Sequence, residues 1–298
     1  RESLRPLTRQ AGCLAFTLAK KMKRITAFAL LLLLSVSSYA ADTFTINGNK
    51  ITVPEPEGFV RITDEMIAVS RLVQQMADPA NDTLSYYILE SDVPSAMAGE
   101  IPSLEKTFML KVNKQLRGMT VGKNDFAQLK SMTKSQNQEI FESIKAQVPD
   151  QMRKMSEGMS KEFNVDFAMN ISQMVPLEPH YEAENALAYS MYINYGVAAG
   201  QETTEEIVSA TATFLNASGT VLFLYGYASK DELEWTRDAS MKWAESVMAS
   251  NRQPPAKSPS GSGFNWNKVM EKGFIGAITG GLIALVIGVL SKFKRKKG

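Results

Sequence analysis

Apolar and polar positions alternate along the second half of the chain, as half-buried strands require. Apolar residues occupy every second position over 165–171 and again over 187–195, and this period of two predicts strands with one face on a core. Two further strands are predicted at 207–215 and 221–227, joined as a hairpin by the Asn-Ala-Ser-Gly sequence at 216–219. The pattern therefore predicts a run of four antiparallel strands.

A shorter strand pair is predicted near the start of the same region. Residues 43–46 and 51–53 flank Asn47-Gly48, a dipeptide that accepts the positive φ of a tight turn. The proline-rich stretch from Pro54 then ends the pair. A separate short strand is predicted at 84–89.

Between and after these strands, apolar residues recur at intervals of three and four, which is the period of an amphipathic helix. Pro149 is expected to interrupt one such helix, and Asp150 to start the next. Ser229 and Glu232 form a capping box for the last one. Helices are predicted at about 63–76, 103–117, 124–148, 150–159 and 229–251. The order of elements predicts an α+β fold, an antiparallel sheet with helices packed on one face.

The N-terminal region resembles an export signal. Lys20 to Arg24 are mostly basic, an apolar run follows to Leu34, and small residues precede Ala41, so signal-peptide cleavage is predicted before Ala41. Met22 is the natural initiator. We therefore expect 22–40 to be a signal peptide and 1–21 to be an upstream extension outside the mature protein.

The C-terminal region resembles a membrane anchor. Residues 273–290 contain no charged side chain, and 18 helical residues span roughly 27 Å, enough for a hydrocarbon core. The basic tail at 291–298 is retained on the cytoplasmic side, so we expect an N-out, C-in topology. Residues 41–251 would then form an exported domain, and 252–272 a linker and juxtamembrane segment.

Small residues recur every four positions within the predicted anchor. Gly276, Gly280, Ala284 and Gly288 form one stripe, and such stripes let helices in lipid approach closely. Glycine lowers helix stability by about 1 kcal/mol relative to alanine, so a packing reason is expected. We therefore predict self-association, or association with a partner transmembrane helix, through this stripe.

Charge and cysteine content narrow the function. Residues 41–290 hold 21 of the 33 basic and 30 of the 31 acidic residues, a net charge of −9, which argues against nucleic acid as a partner. The single cysteine lies at position 13. The predicted mature chain therefore has neither a disulfide nor a thiol nucleophile, which suits a bacterial periplasm.

Few residues offer catalytic or metal chemistry. His180 is the only histidine and is interpreted as an exposed loop residue, because no nucleophile motif accompanies it. A pair of carboxylates could catalyse hydrolysis, but the sequence singles out no such pair.

Met152, Met155 and Met159 share a helical face. Their thioethers could bind Cu(I), but methionines at this spacing are more often core residues, and no cofactor is predicted.

The order of elements is similar to that of the PsbP/Mog1/DcrB-type domains. The resemblance covers most of 43–251 and is carried by the hairpin ending at Val53–Phe59, the late antiparallel strands and the helix after 221–227. Pro56-Glu57-Gly58-Phe59 approximates a corner of that group, while a helical insertion at about 103–160 departs from its minimal pattern. The resemblance implies a small, non-enzymatic domain of an exported compartment, and hence an accessory role.

Together these patterns predict a single-pass protein of the bacterial inner membrane with its main domain in the periplasm. The predicted role is non-catalytic binding or scaffolding, with assembly through the small-residue stripe. A tethered carboxylate-dependent hydrolase and a Cu(I)-handling protein remain the alternatives.

Overall fold

The structure is a computed structural model that describes residues 41–75, 80–135, 137–252, 269–272, 275–276, 278, 280–281 and 286. The predicted signal peptide, the upstream extension and the basic tail lie outside the described residues. So do most of the linker and most of the predicted anchor at 273–290. None of the helices in the described part of the chain is both long enough and apolar enough to cross a membrane.

Two antiparallel sheets make up the β structure. A hairpin of β1 and β2 forms the smaller one, and eight strands form the larger one in the order β3-β4-β5-β10-β9-β8-β6, with β7 also paired to β8. Asn47 and Gly48 take positive φ angles of 51° and 77° at the turn of the hairpin, as predicted from that dipeptide. The strands are β1 (Ala41–Ile46), β2 (Asn49–Pro54), β3 (Phe59–Arg61), β4 (Asn81–Leu89), β5 (Thr107–Asn113), β6 (Phe167–Pro176), β7 (Tyr181–Ala183), β8 (Ala186–Ala199), β9 (Glu202–Ala217) and β10 (Thr220–Ser229).

Five α-helices with continuous bounds accompany the sheets in the described residues. They are α1 (Ile67–Gln75), α2 (Val93–Met97), α3 (Lys123–Ser135), α4 (Asn137–Phe163) and α5 (Leu233–Ser250). A 3₁₀ turn at Lys230–Glu232 precedes α5, and Ser229 makes no side-chain capping hydrogen bond there. The predicted capping box is therefore not formed.

The large sheet carries helices on both faces, so the prediction of helices on one face is wrong. Successive residues of β10 point to opposite sides of the sheet. Phe223 and Tyr225 pack in one core with α1, α3 and α4, whereas Leu222 and Leu224 pack in a second core with α5 and the hairpin. Both faces of the central strands are buried, which an alternating pattern alone does not reveal.

The helix predicted at 103–117 is also wrong, because Thr107–Asn113 forms the central strand β5. All seven residues of this strand are buried, since both of its faces are covered. The run therefore lacks the apolar–polar alternation of a half-buried strand. Leu104, Phe108 and Val112 fit a helical spacing, but Phe108 and Val112 equally fit one face of a strand.

The predicted break at Pro149 is wrong as well, because α4 continues through this residue. Ile144, Val148 and Met152 lie on one side of the helix and are buried in the core with the sheet. Burial of this apolar stripe holds the helix together across the hydrogen bond that proline cannot make.

Candidate functional site

One face of the large sheet is unusually rich in methionine. All eight buried methionines among the described residues belong to the core beneath α1, α3 and α4, and the opposite core has no fully buried methionine. We call this side of the sheet the methionine face. The unbranched, polarizable methionine side chain adapts to irregular partners, and it is common at surfaces that bind varied apolar helices. The eight are Met66, Met109, Met152, Met155, Met159, Met169, Met191 and Met270.

An apolar helical segment of the same chain packs on the methionine face. We call the described helical residues 269–272, 275–276, 278, 280–281 and 286 the C-terminal segment. Five of its apolar side chains are buried in the same core as the methionines. It thus occupies a groove that its own domain provides. The five are Val269, Met270, Ile275, Ile278 and Val286.

Two adjacent glycines bring the backbone of the C-terminal segment against the sheet. A Cβ atom on Gly280 would overlap the side chains of Met109 and Tyr227, and it would lie 2.6 Å from Tyr227 Cζ. A Cβ atom on Gly281 would lie 3.1 Å from Tyr195 Cζ. Only residues without a side chain fit at these two positions, so the groove is specific for a segment with small residues there.

A buried tyrosine binds the backbone of the C-terminal segment. Tyr195 Oη donates a hydrogen bond of 2.6 Å to the carbonyl oxygen of Ile278. Burial raises the pKa of this phenol well above its ordinary value, so the hydroxyl stays protonated and remains a donor. The contact recognises a helix backbone in an apolar setting, where a hydrogen bond is strong and its loss is costly.

A polar cluster fixes the beginning of the C-terminal segment. Asn113 Nδ2 donates to Asn81 Oδ1 at 3.1 Å, and Asn81 Nδ2 donates to the Lys272 carbonyl oxygen at 2.9 Å. Lys272 Nζ donates to Gln147 Oε1 of α4 at 2.6 Å, and Gln147 Nε2 also donates to Glu271. The segment is therefore tied both to the sheet and to α4.

A cavity remains beside the docked segment. Its volume is about 280 Å³, and its lining includes Val148 and Met152 of α4 together with Ile275 and Ile278. The C-terminal segment thus leaves part of the groove unfilled.

The sequence-predicted helix-association residues fall partly within this groove. Gly276 and Gly280 are helical and buried, whereas Ala284 and Gly288 lie outside the described residues. Gly281, the next residue along the chain, lies against Tyr195. Association between transmembrane helices through these residues stays a prediction. Sequence reasoning missed the groove residues Met109, Tyr195 and Tyr227, because nothing local marks them as partners of a distant segment.

The three methionines considered for Cu(I) are core residues of α4. Met152, Met155 and Met159 do lie on one side of the helix, and all three are buried against the sheet. Within the described ranges, no group of three or more His, Cys, Asp or Glu residues could hold a metal ion. Copper binding by the thioethers stays a prediction, while their packing explains their spacing.

His180 lies in the loop between β6 and β7, as interpreted from the sequence, but it is half-buried in a polar network and not exposed. Its Nδ1 lies 3.4 Å from Ser190 Oγ, which also contacts Thr211 Oγ1 at 2.9 Å and accepts a hydrogen bond of 3.3 Å from Arg237 Nε. Ser190 is only 1% exposed, and His180 Nε2 has no hydrogen-bond partner within the described part of the chain. A Ser–His pair is thus present, but its serine is buried under α5, and no acid among the described residues binds the histidine as in a working triad.

We expect this histidine to make stability depend on pH. Burial, and then the charge of Arg237, lowers the pKa of His180 to about 4, so protonation is easier in the unfolded chain. Stability is then full above the unfolded pKa of about 6.5 and is lost as the pH falls towards 4. Allowing for the partial exposure of the ring, the loss is about 1 kcal/mol. Urea unfolding at pH 7.5 and pH 4.5 should show that His180→Gln loses less stability than the wild type, and equal losses would contradict the assignment.

Asp92 is the carboxyl group with a raised pKa among the described residues. Burial raises this pKa, and the charge of Glu105 raises it further. Asp92 Oδ2 is buried and has no hydrogen-bond partner in the described ranges. A raised pKa suits a general acid. Neither residue, however, lines the cavity beside the C-terminal segment or a second cavity of about 430 Å³ next to β4.

Comparisons with known proteins support the fold resemblance at a low level. No protein-family model matches the chain, and no curated protein matches it in sequence. The solution structure of cyanobacterial PsbP (CyanoP) from Synechocystis sp. PCC 6803 aligns over 73% of this chain and 93% of its own, at 10% identity and a TM-score of 0.28. The Saccharomyces cerevisiae Ran-binding protein Mog1p aligns over 72% and 94%, at 8% identity and a TM-score of 0.25. The chain resembles PsbP and Mog1 loosely. A likeness at this level carries no functional argument.

Proposed function

We propose that this chain is a membrane-tethered, non-catalytic binding protein of the bacterial envelope whose exported domain binds an apolar helix on its methionine face. The observation that carries the proposal is the docked C-terminal segment. Its Ile278 carbonyl accepts a hydrogen bond from buried Tyr195, and Gly280 packs directly against Met109 and Tyr227. The groove therefore recognises both the backbone and the small residues of a helix.

The proposed tether comes from the sequence. Residues 22–40 would direct export, 273–290 would anchor the protein in the inner membrane, and the basic tail at 291–298 would remain in the cytoplasm. The stripe Gly276, Gly280, Ala284 and Gly288 would then face a second copy or a partner helix. This arrangement puts the 41–251 domain in the periplasm.

A binding role suits the interior of the domain better than catalysis. Ser190 lies under α5, and the polar atoms of the groove bind other parts of the chain. A hydrolase needs a nucleophile or an acid pair next to a space for substrate. Among the described residues, Ser190 beside His180 is buried, and neither Asp92 nor Glu105 lines the two cavities described above.

Co-purification from membranes after mild in-cell crosslinking tests the proposal. We expect a partner or a dimer to be recovered with the native chain and lost, at least ten-fold, with Gly280→Leu/Ala284→Leu. The added side chains prevent close approach of the helix. Leu282→Ile/Leu285→Ile is the matched control, because it changes the same segment at positions outside the small-residue stripe while conserving volume.

Recovery of the crosslinked species at equal yield from the Gly280/Ala284 variant would contradict the assembly face. Recovery of the wild-type chain in the soluble fraction would contradict the tether. In either case the role in assembly would be given up.

A further inference from the structure

We infer that the C-terminal segment exchanges between the groove on the methionine face and the lipid bilayer, so that the chain closes its own binding site until the segment inserts. This inference rests on the proposed function, because it takes 273–290 as the anchor. It adds a regulated state: the groove is closed by an intramolecular ligand in one position of the segment and open in the other.

The two positions exclude each other. In the structure Ile278 and Gly280 are buried against the sheet, with the Ile278 carbonyl bound to Tyr195. In a bilayer the same residues would lie within roughly 27 Å of hydrocarbon. A segment that spans the membrane must therefore leave Met109 and Tyr227 uncovered.

The domain has the means to remain folded when the segment leaves. Its second core, between the other face of the sheet and α5, contains no residue of the C-terminal segment. The long helix α4 is also held to β6 without the segment, because Phe167 N donates to Ser160 Oγ and Met169 N donates to Ser156 Oγ, each at 2.9 Å. Flexible methionine side chains can repack over the vacated space.

The floor of the groove also contains groups that suit an intermittently hydrated surface. Lys111 alternates with Leu110 along β5 and therefore lies on the same side as Met109 and Asn113. It is 1% exposed, and a lysine is fully buried in a protein almost only where its polar end is paired. Asn81 and Asn113 lie beside it at the start of the docked segment. When the segment leaves, water can take over the hydrogen bonds of these side chains.

The lipid bilayer can also compete with the groove for the C-terminal segment. The chain has no charged residue between Lys272 and Lys292. Lipid tails accommodate uncharged, apolar side chains as readily as a protein core does. The cavity of about 280 Å³ beside Ile275 and Ile278 shows that the domain does not enclose the segment completely. Binding in the groove is therefore held by a few specific contacts, above all those of Tyr195, Gly280 and Gly281.

Thiol labelling of the groove tests the exchange directly. In the full chain with Cys13→Ser, Met109→Cys places a single thiol beneath Gly280. We expect slow reaction with a maleimide in buffer, and at least ten-fold faster reaction after addition of vesicles of phosphatidylethanolamine and phosphatidylglycerol in a 3:1 ratio. Leu110→Cys is the matched control, because it lies on the adjacent position of β5 and faces the α5 core, and its labelling should stay slow throughout. If Met109→Cys fails to fold, Tyr227→Cys reports on the same contact with Gly280.

A tyrosine pair separates docking from membrane affinity. Tyr195→Phe removes the hydrogen bond to Ile278, so we expect it to speed labelling of Met109→Cys in buffer several-fold. Tyr192→Phe makes the same chemical change on the same strand. It faces the opposite side of the sheet and should leave the rate unchanged.

Vesicle flotation distinguishes the failure of the exchange from the failure of the tether. Faster labelling together with flotation supports the exchange. Flotation with a groove thiol that stays protected would overturn the exchange while leaving the tether intact. Absence of flotation with the thiol protected in all conditions would overturn both, and the C-terminal segment would then be a fixed part of the core.

Discussion

Replacing Trp243 by alanine is expected to lower the free energy of unfolding by about 3–5 kcal/mol, the range for deleting a large buried aromatic side chain. Trp243 is 2% exposed and packs edge-on against Tyr87 and Phe108, with ring centroids 5.4 and 5.2 Å away. Its Nε1 also donates a hydrogen bond of 2.8 Å to the Pro54 carbonyl oxygen. It therefore joins α5, the sheet and the N-terminal hairpin, and its loss leaves a cavity among all three.

Urea unfolding and thermal melting of Trp243→Ala measure this effect, and the melting temperature should fall by roughly 10 °C for a domain of this size. Trp243→Phe is the matched control. It keeps an aromatic ring but cannot bond to Pro54, so it should lose less than half as much stability. Equal losses in the two variants would show that the hydrogen bond, and not the packing, holds α5 in place.

The second large effect is expected at Gly226 of β10, which lies against Ser240 of α5. A Cβ atom on this residue would lie 2.6 Å from Ser240 Oγ and 2.9 Å from Phe108 Cε1. Both neighbours are buried, so neither can move into solvent. Gly226→Val should therefore cost about 3 kcal/mol through overpacking, and Gly226→Ala about 2 kcal/mol.

A double-mutant cycle identifies the cause of this loss. Ser240→Ala removes the nearest atom, so combining it with Gly226→Ala should recover about half of the lost stability. Gly118→Ala is the control, because a Cβ atom there meets nothing within 4 Å, and its effect should stay within about 0.5 kcal/mol. Additive effects of Gly226→Ala and Ser240→Ala would contradict direct contact between the two positions.

Local patterns predicted the strands that alternate and the turns that need special residues. The hairpin at Asn47-Gly48 and the strand pair around 216–219 were predicted close to their observed bounds, because turn chemistry acts over a few residues. The α+β class followed from the same elements. These features depend on neighbours in sequence and can be predicted from it.

The incorrect secondary-structure predictions arise where tertiary packing, and not the local sequence pattern, determines the structure. Residues 107–113 form a strand because β4 and β10 flank them. The sequence of the segment itself does not indicate these neighbouring strands. Pro149 stays within a helix because the sheet below α4 receives Val148 and Met152. In both cases tertiary packing outweighs local preference.

The groove was beyond the reach of local patterns for a related reason. Tyr195 and Ile278 are 83 positions apart. An apolar segment with small residues has the same sequence pattern whether it packs in lipid or on a sheet. The sequence predicted Gly276 and Gly280 as packing positions. It contains no sign that the surface they meet in the structure belongs to the same chain.

The concentration of methionine on one side of the sheet also sets how this protein would respond to oxidants. Oxidation turns a thioether into a polar, chiral sulfoxide, which disrupts apolar packing. All eight buried methionines of the described residues lie in the core shared with α4 and the C-terminal segment, and none of the eight lies in the core around α5. Chemical damage would therefore weaken one half of the domain and spare the other, and methionine sulfoxide reduction would restore the half that holds the C-terminal segment.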